Sequence, residues 1–570
     1  MPVMDERSST PLGTPAAAAP APPPAATQTT ATQSVQGVNR ALNVSARKDD
    51  NNVKETIESI LVAFILAFIF RAFIVEAFVI PTGSMAPTLL GAHLRWSCND
   101  CGYRFDTNYS SDKHDADGNP IIPNRSGPHN QHDVKCPNCG FDVPGSQAKN
   151  VPVHYGDRIL VLKYLYLFED PKRWDVVVFK SPFDKPKYQQ NYIKRLVARP
   201  NESVVLLDGD VYVAPAGAKA IEDFRIQTKP KHVQDALWRV IYDNDYHPRN
   251  LTRSQRPWRQ PWTVRDGSGW QLDDDAATPG AGRRVFTFDN KDSGGTIFFD
   301  RDANPSNNAF SDWLAYDVED EGRRWTAAVV GDLKVQFDYT RSAGDGPLRL
   351  RLSKDDDTFV AEITPAAAKL FRKTGGGAET ELASAPVSFG GRPVRVEFEN
   401  VDHRVTLRLN GDAVLQTTPQ QYAPDAKALL ALFRAIKNSP LPTVEITAER
   451  QTAAVAHLSL WRDVYYLNRD KRHMSSTPAW GSPVDFPENV ITLGPKEYFV
   501  LGDNSLMSLD ARMWNEDIDL SDLHVQSGRV PDRFMLGKAF FVYWPAGYKP
   551  LASEAMPALT PNFGDMRFIR

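Results

Sequence analysis

The stretch Ile80-Pro-Thr-Gly-Ser-Met-Ala-Pro-Thr-Leu89 directly follows the longest apolar run of the chain. Pro81, Gly83 and Pro87 make it a stiff loop that allows close backbone approach, with Ser84 at its centre. Alone, it also reads as a linker with a turn serine. Two later segments change its weight. Asn191-Tyr-Ile-Lys-Arg-Leu-Val-Ala-Arg199 sets Lys194 in an apolar, strand-like run, and Gly502-Asp-Asn-Ser-Leu-Met-Ser-Leu-Asp-Ala-Arg512 supplies a polar loop. A serine hydroxyl is a poor nucleophile until a base takes its proton. None of the 11 histidines lies near Ser84 in sequence or in a Gly-x-Ser-x-Gly context. A lysine can serve instead when burial brings its pKa from about 10.4 toward 7–8. In an extended segment Lys194 shares a face with Tyr192 and Leu196, opposite Ile193 and Val197. A Lys-Arg pair in a strand is otherwise an ordinary solvated position.

Composition narrows the class. At 570 residues, two or three folded units are expected. A net charge of −4, with no basic-aromatic cluster, leaves no footprint for nucleic acid. The region before about Asp50 is rich in Ala and Pro and cannot bury enough apolar surface to fold, so residues 1–53 read as a disordered tail. Residues 54–78 then read as a transmembrane anchor: Ile60 to Phe70 is uninterrupted and apolar, and Arg71 and Glu76 come only near the far end. Glu58, Arg71 and Glu76 would be costly in lipid, which keeps a buried helix as the competing reading. Arg47, Lys48 and Lys54 ahead of the span put the tail on the cytoplasmic side.

In this order and behind such an anchor, the three segments resemble the signature boxes of bacterial type I signal peptidases, membrane-bound Ser/Lys proteases of exported proteins. The resemblance implies that Ser84 is the nucleophile and Lys194 its general base. It implies an oxyanion hole made by Thr82 and the Ser84 N–H, and a place for Met85 lining the substrate cleft. Ser508 would orient the lysine head group, Asp510 and Arg512 would brace the loop, and Gly502, Asp503 and Asn504 form its characteristic start. Ser505, Leu506 and Met507 depart from the more polar run of many relatives, and Ala511 stands where Ser is common. Neither departure removes a reacting group. The implied localisation is single-pass, with the catalytic domain on the extracytoplasmic side. The implied partners are membrane lipid and secretory preproteins with small residues before the scissile bond. No cofactor is implied for catalysis.

Two stretches fall outside the resemblance. Cys98-Asn-Asp-Cys101-Gly and Cys136-Pro-Asn-Cys139-Gly hold all 4 cysteines. Paired Cys-x-x-Cys knuckles, each followed by glycine, fit tetrahedral thiolate coordination of one structural zinc, and residues 96–149 read as a zinc-ribbon-like insert. His114, His129 and His132 are spare candidates, and two disulfides are the alternative. Farther on, Leu333/Val335/Phe337/Tyr339, Leu348/Leu350/Leu352, Val394/Val396/Phe398 and Val405/Leu407/Leu409 alternate with period 2. Asn410-Gly411 is a hairpin signal among them. Residues 329–468 therefore read as an antiparallel β-sandwich, loosely similar to concanavalin-type jelly rolls, with any ligand undefined. Residues 213–328 are rich in Trp, Asp and Arg and declare no fold.

The expected architecture is mostly β: a signal-peptidase catalytic core from residues 79–95, 150–212 and 490–560, behind one transmembrane helix and carrying an inserted sandwich. The sandwich is expected to be separable from the catalytic machinery, since loop length costs only slowly growing entropy. The competing function is a catalytically silent, membrane-anchored binding protein that uses the sandwich and ribbon.

Overall fold

The run Val176-Val-Val-Phe179 lacks alternation because both faces of its strand are covered. Val177 and Phe179 enter one apolar cluster with Leu196, Val204 and Phe499, while Val176 and Val178 enter another with Ile80, Met85 and Ile193. The computed structural model describes residues 50–109, 134–144, 151, 153–181, 183, 190–249, 257–272, 284–304, 309–318, 328–389, 391–435, 439–467, 479–484, 486–520, 522–545 and 562–570. Most of the expected tail and His114, His129 and His132 lie outside them.

The two compact units are residues 1–64 and 65–570. A helix, Asp50–Ile69, runs from the first into the second and gives way to a π-helical turn, Phe70–Ile74. Val75–Val79 is then a strand paired with Arg158–Leu162, from Val75 opposite Leu162 to Val79 opposite Arg158. This corrects the expected span over 54–78. Lys54, Glu55 and Glu58 crowd the first turns of the helix, its last expected residues belong to a sheet, and Glu76 pairs with Lys163 at 3.2 Å. Among the described residues no helix is long and apolar enough to cross a membrane.

The second unit is mostly β, and its ladders are antiparallel. An eight-stranded sheet runs Val75–Val79, Arg158–Leu162, Met535–Trp544, Val176–Lys180, Asn191–Ala198, Glu497–Leu501 and Val530–Pro531, with Arg567–Phe568 joined to Met535–Trp544. A four-stranded sheet of Arg225–Ile226, Asp210–Pro215, Glu202–Leu207 and Ile491–Thr492 shares one core with it. Neighbouring strands of these sheets thus come from chain segments that lie far apart in sequence.

A thirteen-stranded sheet is built on the 19-residue strand Val444–Arg462. That strand pairs with Val285–Phe299 and Arg239–Asp243, and also with Leu333–Gly344 and Leu348–Lys354. The end strands Ala367–Thr374 and Thr380–Pro386 approach Asp412–Gln416, so the sheet folds round one core. Alternation is read out directly: Leu348, Leu350 and Leu352 are buried while Arg349, Arg351 and Ser353 are less so. Asn410 and Gly411 have φ of 53° and 90°, the left-handed values that a two-residue hairpin demands. The boundary expected at 328/329 separates nothing, because strands from both sides share this sheet. Trp258, Trp262, Trp270, Phe286 and Phe288 of the undeclared stretch fill its core.

Buried charge joins this sheet to the smaller ones. Lys229 pairs with Asp402 and, at 2.8 Å, with Asp463; Lys354 pairs with Asp332 and, at 3.6 Å, with Asp210. All six side chains are nearly inaccessible. Removing one partner of such a pair leaves an uncompensated charge in the interior. Lys229→Met is expected to destabilise the second unit by about 3–5 kcal/mol in urea titration; an unchanged midpoint would show that the network does not weld the sheets.

Candidate functional site

The serine loop is folded by its own backbone and seated on the eight-stranded sheet. Ala86 N–H donates to Gly83 O at 2.9 Å and Leu89 N–H to Met85 O at 2.9 Å, while Ile80 N–H donates to Asp157 O. Ile80, Met85 and Leu89 drop into the core formed by Ile159, Val161, Val176 and Ile193. Ser84 is left partly exposed above them, with Thr82 exposed beside it. Met85 was expected to line the cleft; it is fully buried and packs beneath the loop instead.

Lys194 sits in the strand Asn191–Ala198, opposite Val177 of Val176–Lys180. From Ile193 onward that strand is buried on both faces, and Lys194 is only 4% exposed. Its Nζ donates to Ser84 Oγ at 2.8 Å and to Ile193 O at 3.0 Å, and lies 5.4 Å from the centre of the Tyr192 ring. Two residues 110 apart in sequence thus meet at hydrogen-bond distance.

The next residue is the one that sequence reading missed. Arg195 is fully buried; its Nε and Nη2 each donate to Asp503 at 2.7 Å, and Nη1 donates to Trp174 O at 2.8 Å. Burial opposes its charge, but Asp503 outweighs that and raises its pKa. The signal was present: a Lys-Arg pair inside an apolar run either faces water or has a carboxylate waiting.

The Gly-Asp-Asn loop closes the site. Asn504 N–H donates to Ser84 O at 3.1 Å and its Nδ2 to Gly83 O at 3.2 Å. Arg512 Nε and Nη2 each donate to Asp510 at 2.8 Å, and Arg512 Nη1 to Leu467 O and Ser505 Oγ. Burial works against ionised Asp510, but Arg512 outweighs it and holds the carboxyl below its usual range. Asp510 also receives the Gly502 N–H at 2.9 Å. Ser508 was expected to orient the lysine. Its Oγ is buried beside Gly502, and its hydroxyl helps to hold the Asp510 carboxyl below its usual range.

The cysteines lie elsewhere in the second unit. Cys98, Cys101, Cys136 and Cys139 are buried free thiols, with Sγ···Sγ distances of 3.7 Å for Cys98–Cys139 and for Cys101–Cys136. All four sulfurs lie within 4.8 Å of one another. The two knuckles repeat one geometry: Gly102 N–H donates to Cys98 O and Gly140 N–H to Cys136 O, with both glycines at positive φ. Asn138 of the second knuckle bonds to Asp243 and Tyr246 of the thirteen-stranded unit.

A family model described as signal peptidase, peptidase S26, matches residues 53–109, 141–299 and 436–544, more than half of the chain and all three boxes. The chain belongs to the S26 signal peptidase family. A signal peptidase I of Rickettsia typhi is 27% identical over 172 residues, covering 30% of this chain and 47% of that protein. One from Rickettsia prowazekii is 27% identical over 171 residues, covering 30% and 46%. The chain spans about half the length of these relatives. Among solved structures, a carbohydrate-binding module from Bacillus subtilis is similar at 12% identity, covering 36% of this chain and 99% of its own, with a TM-score of 0.21. A likeness that slight carries no weight for fold or function. In this S26 family member, the family match leaves out 300–435, most of the thirteen-stranded sheet's second half.

Gly502 has no room for a side chain, since a Cβ there would overlap both Ser84 O and Ser508 Oγ. Gly502→Ala is expected to cost about 1–3 kcal/mol through overpacking, read as a lowered urea midpoint. An unchanged midpoint would show that the two loops do not pack as described.

Proposed function

We infer that this chain is a serine endopeptidase of the type I signal peptidase kind, which cuts signal peptides from exported preproteins with Ser84 and Lys194. One observation carries the reading: within the family-matched core, a buried lysine amine lies 2.8 Å from the hydroxyl of a partly exposed serine on a stiff loop. As an unprotonated amine, Lys194 takes the Ser84 proton while Oγ attacks the scissile carbonyl. The Ser84 N–H and the Thr82 hydroxyl face the oxyanion that develops. Collapse of the tetrahedral adduct expels the new amine terminus, which receives the proton from Lys194. Water, deprotonated by Lys194, then hydrolyses the Ser84 ester. Arg195 and Asp503 hold the lysine strand and the closing loop in register.

The supporting cast follows from the same reading. The substrates are preproteins with small residues before the cut. The protein works at a membrane, with its catalytic unit on the extracytoplasmic side. Leu66, Phe68 and Phe73, each more than half exposed ahead of the sheet, supply apolar surface for lipid.

The four cysteines are assigned to one structural zinc. Sulfurs about 2.3 Å from a tetrahedral zinc stand roughly 3.8 Å apart, against about 2.05 Å in a disulfide. The observed 3.7 Å separations fit the metal. Four thiolates leave it no open position, so its contribution is to fold the ribbon and not to catalysis.

Two tests follow. On a purified preprotein, Ser84→Ala and Lys194→Met should each lower cleavage by at least about a thousandfold while leaving the fold intact. Lys194→Arg should do the same, because a guanidinium stays charged. Near wild-type cleavage by Lys194→Met would mean that another group is the base. Metal analysis should find one zinc per chain, lost in Cys136→Ser together with order in the ribbon; two disulfides by mass spectrometry would refute the assignment.

A further inference from the structure

The serine loop is touched by a segment that lies outside the family match. Residues 309–318 carry Tyr316 and Asp317 and lie within the stretch 300–435 that the S26 model leaves unmatched. Asn504 Nδ2, which reaches Gly83 O at 3.2 Å, also donates to Asp317 Oδ1 at 2.7 Å. Tyr316 is buried against Ala86 and Leu90 of the serine loop. Its ring fills the space over Gly83 so completely that a Cβ at Gly83 would collide with it. The pair is fastened from behind by the ribbon hairpin: Asn108 N–H donates to Tyr316 O at 2.8 Å, and Val318 N–H donates to Asn108 Oδ1 at 3.2 Å.

We propose that Tyr316 and Asp317 are positioning residues for Ser84, so that the insert builds part of the protease site. This rests on the peptidase reading above. Asn504 links these contacts, because its backbone N–H and side-chain amide hold the carbonyls of the Ser84–Met85 and Gly83–Ser84 peptides, one on each side of the Ser84 Cα. An amide has two N–H donors and is free to turn about its last torsion. The short bond to Asp317 fixes that torsion and aims the second hydrogen at Gly83. Tyr316 closes the opposite side, so the loop cannot lift toward the insert. A reacting hydroxyl that strays by about an ångström loses on the order of a hundredfold in rate. The expected signature is therefore on kcat, with substrate binding little changed.

The test uses the full-length protein and a peptide spanning a signal-peptide cleavage site, with kcat and KM measured for four forms. Wild type should cleave and Ser84→Ala should not. Asp317→Ala should lower kcat about ten- to hundredfold with KM within roughly twofold. Asp317→Asn keeps an oxygen acceptor for Asn504 and should recover most of that loss, which a merely structural residue would not show. If Asp317→Ala does not fold, Asp317→Ser, whose shorter oxygen falls short of Asn504, is read in its place. Wild-type kcat in Asp317→Ala (or its Ser substitute), or an Asn variant as impaired as the Ala or Ser one, would overturn the positioning role while leaving the peptidase reading standing. Failure of wild type to cleave, or cleavage by Ser84→Ala, would overturn the peptidase reading and the positioning role with it.

Discussion

The buried pair between Arg195 and Asp503 is the constraint on which the site depends. Both side chains are inaccessible, and the two parallel N–H···O bonds at 2.7 Å leave little freedom of rotation. Arg195 follows Lys194 on one strand, and Asp503 sits between Gly502 and Asn504 on another segment. Fixing the pair therefore fixes two neighbours at once: Lys194 is aimed toward Ser84, and Gly502 and Asn504 are pressed against the Ser84 carbonyl. Such a pair gains little net stability over apolar packing, but it does not tolerate a shifted register. Its value here lies in alignment, since no local sequence ties Lys194 on its strand to Ser84 on its loop.

That alignment extends into the insertion. Val444–Arg462 carries the thirteen-stranded sheet, and the segment after it, Val464 to Leu467, returns directly to the core of the smaller sheets: Val464 and Tyr466 pack with Leu206 and Phe499, and Leu467 O accepts from Arg512. Lys229 and Lys354 bridge carboxylates from both regions. An insertion tied by a shared core, by buried charge and by Asp317 is part of the same folded body as the smaller sheets. The entropy argument for a separable insert remains correct about loop closure. It is silent about buried groups that would be left without partners.

The cysteine ribbon has a matching place in this arrangement. Its knuckles are held by backbone bonds of one repeated form, and Asn138 docks one of them onto the turn after Arg239–Asp243. Its hairpin also carries Asn108, which secures the segment over the serine loop. A short loop with little apolar mass of its own thereby acquires a defined position between two larger elements. Thiol geometry and packing together explain why four cysteines are confined to one window.

The sequence alone determined what depends on local chemistry. Alternation over Leu348 to Leu352 fixed a strand and its buried face, Asn410-Gly411 fixed a hairpin, and the paired Cys-x-x-Cys knuckles fixed where four sulfurs could converge. The ordered boxes pointed to Ser84 and Lys194 through their resemblance to the signal peptidase signature, since the residues alone also read as a turn serine and a solvated strand lysine. Tertiary structure decided the rest. Apolarity from Ile57 onward could not distinguish one spanning helix from a helix that ends at Ile69 and a strand that begins at Val75, because pairing with Arg158–Leu162 is a non-local choice. Met85 became core and Arg195 became an anchor, each by what faces it across the fold. Asp317 carries no local mark of its role. Its partner lies 187 residues away, and only the folded chain brings a carboxylate to the amide that holds the serine loop.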